Sequence, residues 1–447
     1  MSSRIVVVGG GTAGARLAER LPVTLLGEEP HAPYNRVLLA DILAGRYAPE
    51  VIALPTPRNG TTRHGVRVTG IDRAARVVHC ADGEAFAYDR LVLATGSNPV
   101  LPPLRGLGGG RLPAGVHAFR TLDDCLALDA LVGPARSIRP DQGAGSGAVH
   151  RKAEEGVMAE PCRPTTTQRG AVPGHASPAG SAGQGPRPGV RAVVIGGGLL
   201  GVSAARALAA RGAEVVLAQQ GEHLMERQLD AEAARLLRRH LEADLGVEVH
   251  TECRVRGLRC VDDTVEAVEL ADGFVLDADV VVIACGVRPR VGLALEAGLD
   301  VRRGIVVDDQ LRTSDPYIHA IGDCAEHDGR LYGLAGAALE QADALADVLL
   351  HGTGAYRGTR ALTRLSMDAL ELAAFGEATP LPGDDTVRLA DATSGAYRKV
   401  VVRGDRLVGG VLLGDLGAVG ALARAWEGDE ALPEAPLLHL LTHDGGS

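Results

Sequence analysis

The chain has 447 residues, 46% of them hydrophobic and 23% charged, enough for two or three domains around substantial cores. A formal net charge of -10, with Lys152 and Lys399 as the only lysines, excludes a protein that coats a nucleic-acid backbone regardless of sequence, and no apolar stretch is long enough for a membrane span. The seven cysteines form no CxxC pair, which excludes a thioredoxin-type dithiol and the usual zinc and iron–sulfur spacings. Free thiols are expected, Cys253 and Cys260 included, and no metal site is expected. A chain that opens on a strand rather than on a charged and apolar leader is expected in the cytoplasm.

Arg4–Arg20 reads RIVVVGGGTAGARLAER. Ile5–Val8 is an unbroken β-branched run without polar alternation, the pattern of a parallel strand buried on both faces. Gly9, Gly10 and Gly11 turn the chain, and Ala13, Leu17 and Leu21 at helical spacing predict a helix from Gly11 to about Arg20. Such a unit cradles a pyrophosphate: Gly9 permits the tight turn, Gly11 lets backbone approach the phosphates, Gly14 lets helix and strand pack, and the helix N-terminus faces the anion. A second strand, Pro22–Leu26, ends at Gly27-Glu28-Glu29, where a carboxylate is expected on an adenosine ribose; Glu28 is the candidate. Arg36 stands before a helix predicted over Val37–Leu43, placed to clamp a pyrophosphate. Short strands over Val66–Ile71, Arg76–Cys80 and Ala85–Tyr88, the last two joined at Asp82-Gly83, lead to a buried strand, Arg90–Ala94. It runs into the small-residue turn Thr95–Pro99, where a cofactor can pass close to backbone.

Beyond a helix predicted over Leu122–Val132 the composition changes to Gly, Pro, Ala, Ser and Arg, and residues 134–189 are expected to be a disordered insertion, since they cannot bury enough apolar area to offset their ordering entropy. At Arg191 the opening pattern repeats. Ala192–Ile195 is the strand, GGGLLG from Gly196 to Gly201 the turn, Val202–Arg211 the helix and Glu214–Ala218 the next strand. A helix over Asp230–Ala243, strands near Val247, Arg254, Thr264 and Val275, and a buried strand Asp279–Ala284 follow, the last ending in Cys285-Gly286-Val287-Arg288-Pro289, an echo of the Thr95–Pro99 turn. Two such units in one chain point to two dinucleotide sites. Strands at Gly304–Val307 and Tyr317–Ile321 then lead to Gly322-Asp323, with the aspartate placed for a ribityl hydroxyl, and a helix over Leu334–Leu349. Strands at Leu370–Phe375, Val387–Ala390, Arg398–Arg403 and Arg406–Leu413, with a helix over Leu416–Glu427, make a third, smaller module.

The glycine turns at Gly9 and Gly196, the Ala94-Thr95-Gly96 turn and Gly322-Asp323 together resemble the two-dinucleotide pyridine nucleotide–FAD oxidoreductases. The phrases PHAPYNRVLLADILAG, HLMERQLD, RGIVVDDQLRTSDPYIHAIGDCAEH and YGLAGAALEQA look like the flavin-dependent part of assimilatory NAD(P)H nitrite reductase large subunits, with nitrate reductase electron-transfer subunits and NADH–rubredoxin reductases as relatives. The resemblance implies an α/β fold with two Rossmann-like domains, FAD-binding over 1–120 and 288–352 and NAD(P)-binding over 121–287, plus a small α+β C-terminal domain over 355–447. It implies FAD held by Gly9, Gly11, Gly14, Glu28, Arg36, Val68, Ala94, Thr95, Gly96, Gly322 and Asp323, and NAD(P)H held by Gly196, Gly198, Gly201, Ser203, Gln219 and Gly286. No side chain is expected to be catalytic in its own right, because hydride transfer belongs to the flavin.

With no redox dithiol, electrons are expected to pass straight to a separate acceptor: a sirohaem nitrite reductase, a nitrate reductase, a ferredoxin or a rubredoxin. The cysteine-rich iron–sulfur and sirohaem modules of nitrite reductases are missing from these 447 residues, so nitrite reduction is expected to need another component. Two positions depart from the family pattern. Ser203 stands where relatives carry a glutamate near the nicotinamide, and Gln219-Gln220 replaces the ribose-binding carboxylate, without an adjacent arginine for a 2′-phosphate. These departures motivate an alternative of another class, a flavin-binding interaction or sensor protein with impaired hydride transfer. The sequence is silent on oligomeric state.

Overall fold

A computed structural model describes residues 3–55, 59–108, 111–133, 189–360, 362–367, 370–391, 393, 395–429, 431–432 and 441. The insertion expected over 134–189 lies outside them except for Gly189. Its flanks are close together: the Arg211 guanidinium donates to the Gly133 carbonyl, and the Glu214 amide donates to Val190 O at 2.9 Å.

Two five-stranded parallel sheets repeat one design. In the first, the order is Ile318–Ala320, Arg90–Leu93, Ile5–Val8, Val23–Leu26, Thr61–Arg63. In the second it is Val116–His117, Val280–Ile283, Arg191–Ile195, Glu214–Ala218, Glu248–His250. Each glycine-turn strand sits in the middle of its sheet, covered on both faces, which is why Ile5–Val8 and Ala192–Ile195 are apolar. The outer strand beside Arg90–Leu93 or Val280–Ile283 comes from a remote part of the chain in both sheets, and neither Val116–His117 nor Thr61–Arg63 carries a pattern that predicts it. Each half also carries a three-stranded antiparallel sheet, Val68–Asp72 with Val77–Cys80 and Ala85–Ala87, and Val255–Val261 with Thr264–Leu270 and Val275–Asp277.

Most predicted elements appear within a residue or two, among them the helices Thr12–Arg20, Leu122–Val132 and Ala231–Ala243. The helix expected over Val202–Arg211 instead spans Leu199–Ala210. Gly198 is its N-cap, so the last glycine of the motif lies inside the first turn, as Gly14 does in the first copy. Leu362–Met367 is an edge strand left unread, because its apolar residues at 362, 365 and 367 break strict alternation. It completes an antiparallel sheet with Leu370–Gly376, Arg406–Leu413, Ala396–Arg403 and Asp385–Asp391. One face of that sheet, with Phe375, Val400 and Val402, packs on the helix Val419–Glu427 through Trp426. The other, with Leu372, Tyr397 and Val411, joins the core that contains Leu208, Leu217 and Met225.

The seam between them is polar where the sheet meets the Ala231–Ala243 helix, and Arg388 Nη1 donates to Glu232 Oε2 there at 2.6 Å. The Lys399 ammonium lies 2.7 Å from Asp230 Oδ2, to which Tyr397 OH also donates at 2.8 Å, while Asp230 Oδ1 caps the Ala231–Ala243 helix through Ala233 N at 3.0 Å. Burial pushes the Asp230 carboxyl up, but the Ala233 amide, Lys399 and Tyr397 outweigh it and hold it below its usual value. Cys80, Cys125, Cys253, Cys260, Cys285 and Cys324 are free thiols.

His319, in the first sheet, is 2% exposed, and its Nδ1 has no hydrogen-bond partner among the described residues. Burial, with Arg90 and Arg312 adding to it, pushes its pKa from 6.5 down to about 4. The unfolded chain therefore binds a proton that the folded chain refuses. Stability is complete above about pH 6.5 and falls as pH drops toward 4, by about 3 kcal/mol from this group. Urea unfolding of the wild type and His319→Leu at pH 7 and pH 4.5 should show a shallower acid loss in the variant; equal losses would contradict this account.

Candidate functional site

The first glycine turn is shaped by contacts that no side chain tolerates. Gly9 has φ +120°, and a Cβ there would overlap the Ala94 carbonyl; a Cβ on Gly14 would overlap the carbonyl of Gly9. Gly11 differs, with an ordinary φ of -79° and nothing within 4 Å of a Cβ position. Gly11 is also the N-cap of Thr12–Arg20 and supplies no side-chain cap, so the first-turn N–H groups face that open space. The second turn repeats this residue for residue. Gly196 has φ +109° and presses on the Ala284 carbonyl, Gly201 presses on Gly196 O, and Gly198 is an uncapped N-cap facing open space. Both cradles therefore fit the pyrophosphate of a dinucleotide.

The two cradles are joined directly. Ser97–Pro99, after the first turn, pairs antiparallel with Val287–Pro289, after the second. Arg290 N donates to Gly96 O at 2.9 Å, Val100 N to Gly286 O at 2.9 Å, and Thr95 Oγ1 to Arg290 O at 2.7 Å. Gly96 and Gly286 both have positive φ and open space at their Cβ positions, so this ribbon exposes backbone at the mouth of each sheet.

Around the first cradle, Gly322 and Asp323 lie in a short 3-10 turn at the end of Ile318–Ala320. Gly322 N donates to Gln341 Oε1 at 2.7 Å. Asp323 Oδ2 accepts from Ser97 Oγ and from Arg120 Nη2, both at 2.8 Å. Arg36 donates to the Arg120 carbonyl at 3.0 Å and pairs with Glu29, which also accepts from Tyr34 OH at 2.5 Å. Glu28 points elsewhere, between Arg290 and Arg67, the latter at 2.8 Å. Burial raises its pKa, and the two arginines more than reverse this to hold it below the usual range. Val68 is buried at the start of its strand. Ala94, Thr95, Gly96 and Gly322 thus lie around the Gly9 turn, whereas Glu28, Arg36 and Asp323 each meet a charged partner of this chain.

Around the second cradle, both departures from the family pattern are folded onto backbone. Ser203 is 8% exposed and its Oγ donates to Leu199 O at 2.8 Å. Gln219 Oε1 accepts from Gly197 N at 2.7 Å. Sequence reasoning did not single out Arg120, Arg67, Arg290 or Gln341, which are remote in sequence from the groups they hold. Three of them stood beside a readable signal: Arg120 before the Thr121 capping box that starts the Leu122–Val132 helix, Arg290 after the Cys285–Pro289 turn, and Gln341 inside YGLAGAALEQA.

Residues 3–342 match the pyridine nucleotide-disulphide oxidoreductase family, and residues 362–427 match the rubredoxin NAD+ reductase C-terminal domain. The NAD(P)H nitrite reductase of Bacillus subtilis (strain 168) is 32% identical over 92% of this chain and 46% of that protein. The assimilatory nitrate reductase electron transfer subunit of the same organism is 31% identical over 92% of this chain and 48% of its own length. The chain thus spans about half the length of these relatives. A crystal structure of the covalent putidaredoxin reductase–putidaredoxin complex superposes with a TM-score of 0.77 at 24% identity, covering 98% of both chains, a likeness of fold.

The glycine contacts separate structural from binding positions. Gly9→Ala should lose at least about 2 kcal/mol or fail to fold, because it combines overlap with a left-handed φ. Gly11→Ala, with room and an ordinary φ, should melt within about 2 °C of the wild type. Circular dichroism melts check both, and equal destabilisation by the two substitutions would contradict the assignment.

Proposed function

The chain belongs to the pyridine nucleotide-disulphide oxidoreductase family, and from that premise we propose that it is an FAD-dependent NAD(P)H oxidoreductase that passes electrons to a separate redox partner in nitrate or nitrite assimilation. The observation that carries this reading is the ribbon of Ser97–Pro99 and Val287–Pro289, which ties two dinucleotide cradles together turn to turn. An enzyme that moves a hydride between two dinucleotides needs both sites held at one fixed separation.

In this reading Gly9, Gly11 and Gly14 hold the FAD pyrophosphate, with Glu28, Arg36 and Val68 on its adenosine side, Ala94, Thr95 and Gly96 along its path, and Gly322 and Asp323 at its ribityl chain. Asp323 is aimed by Arg120 and Ser97. Gly196, Gly198, Gly201, Ser203, Gln219 and Gly286 line the NAD(P)H site. FAD, when bound, accepts a hydride from nicotinamide and releases electrons singly or in pairs. The protein supplies orientation and a fixed separation of the two rings. The domain reading keeps FAD with residues 1–120 and 288–352, with Val116–His117 lent to the neighbouring sheet, NAD(P) with 121–287, and the smaller domain with 355–447.

The acceptor reading rests on likeness to the two Bacillus subtilis proteins. A rubredoxin or ferredoxin as acceptor is the second reading, favoured by the match of residues 362–427. No helix among the described residues is long and apolar enough to cross a membrane, and a cytoplasmic location is part of the proposal.

Anaerobic mixing of the purified flavoprotein with NADH or NADPH tests the enzyme reading. Rapid bleaching of the flavin is expected; a flavin that stays oxidised would replace this reading with that of a binding or sensor protein. Asp323→Ala should weaken FAD retention about tenfold, measured as flavin occupancy after gel filtration, through loss of a charged hydrogen-bond acceptor. Undiminished occupancy would remove Asp323 from the FAD site.

A further inference from the structure

Resting on the reading of Gly196–Gly201 as the NAD(P)H cradle, we propose that Glu226 selects NADH over NADPH by presenting its carboxylate to the adenosine ribose from the turn after the second strand, in place of a strand-end residue. In dinucleotide folds the ribose carboxylate stands at the strand end about 20 residues past the glycines. Here that position is Gln219, and its side chain is committed to the glycine loop through Gly197 N at 2.7 Å. Two residues further on, Gly221 has no side chain, and Glu226 fills the space: a Cβ on Gly221 would overlap the Glu226 carboxylate. Glu226 Oε1 accepts from Glu222 N at 2.9 Å, and an ionised carboxylate has lone pairs to spare for further donors.

The turn that delivers Glu226 is registered to the same glycine loop. Met225 N donates to Gly197 O at 2.9 Å, and Met225 holds φ +52°, a conformation costly for a side chain of its size and retained by that contact. Leu224 is buried against Gly197. Glu252, whose amide donates to Gly221 O at 2.8 Å, and Glu222 add negative charge around Gly221, while Arg227 beside Glu226 and Arg254 near Glu252 are exposed. A ribose diol donates hydrogen bonds to such a carboxylate, whereas a 2′-phosphate brings like charge against it.

Isothermal titration of the flavin-loaded protein with ADP-ribose and with 2′-phospho-ADP-ribose tests this without turnover. The wild type should bind ADP-ribose at least about tenfold more tightly than the phosphorylated fragment. Glu226→Gln, which keeps the shape and removes the charge, should erase most of that preference with flavin absorbance unchanged, and Arg227→Gln should leave it in place. A preference untouched in Glu226→Gln, or a wild type that favours the phosphorylated fragment, overturns the role of Glu226 alone. A wild type that binds neither fragment overturns the NAD(P)H reading of the cradle as well.

Discussion

Both dinucleotide cradles depend on two close backbone approaches that leave no room for a Cβ: Gly9 on the Ala94 carbonyl and Gly196 on the Ala284 carbonyl. Each contact closes the gap between a glycine turn and the end of the neighbouring parallel strand, so that the helix after the turn starts over the sheet and its N–H groups face one open space. A side chain at either glycine would push the strands apart and tilt that helix. The anion-facing geometry is therefore a packing consequence before it is a binding one.

The same closure sets the relation between the halves. Because each sheet ends in a turn with positive φ, at Gly96 and at Gly286, the chain leaves both sheets in extended form, and the two extended pieces pair with each other. Backbone hydrogen bonds in this ribbon are short-range and directional, so the separation of the cradles does not rest on side-chain chance. The C-terminal sheet is attached by a different device, an apolar face with a buried charged contact, Lys399 on Asp230, and an exposed one, Arg388 on Glu232. A buried pair of this kind costs desolvation and adds little net stability, but it is satisfied in only one alignment of the sheet with the Ala231–Ala243 helix.

Charged residues around the first cradle show how one position serves two demands. Asp323 is aimed by Arg120 and by Ser97, the first residue of the ribbon. Glu28, read as a ribose ligand, is held by Arg67 and Arg290 and stays ionised although partly buried. Gln219 and Ser203, where a carboxylate was expected, are each turned onto a backbone group of the glycine loop or its helix. Both replacements keep the loop satisfied while leaving ribose recognition to other residues.

The sequence by itself determined the repeated strand–turn–helix units, the family, and the residues that make the backbone cradles, because these depend on local pattern and on glycines that nothing else can replace. The middle strands of the two central sheets followed from apolar runs. What only the tertiary structure decided depends on partners far apart in the chain: the outer strands Val116–His117 and Thr61–Arg63, the ribbon that joins Gly96 to Gly286, and the arginines on Asp323 and Glu28. An edge strand of two or three residues has too few side chains to show a period. A charged residue on the sequence is equally suited to solvent, to a ligand or to a partner hundreds of residues away, and only folding chooses among them. Gly221 illustrates the limit: it reads as an ordinary loop glycine until the carboxylate of Glu226 is seen to occupy the place of its missing side chain.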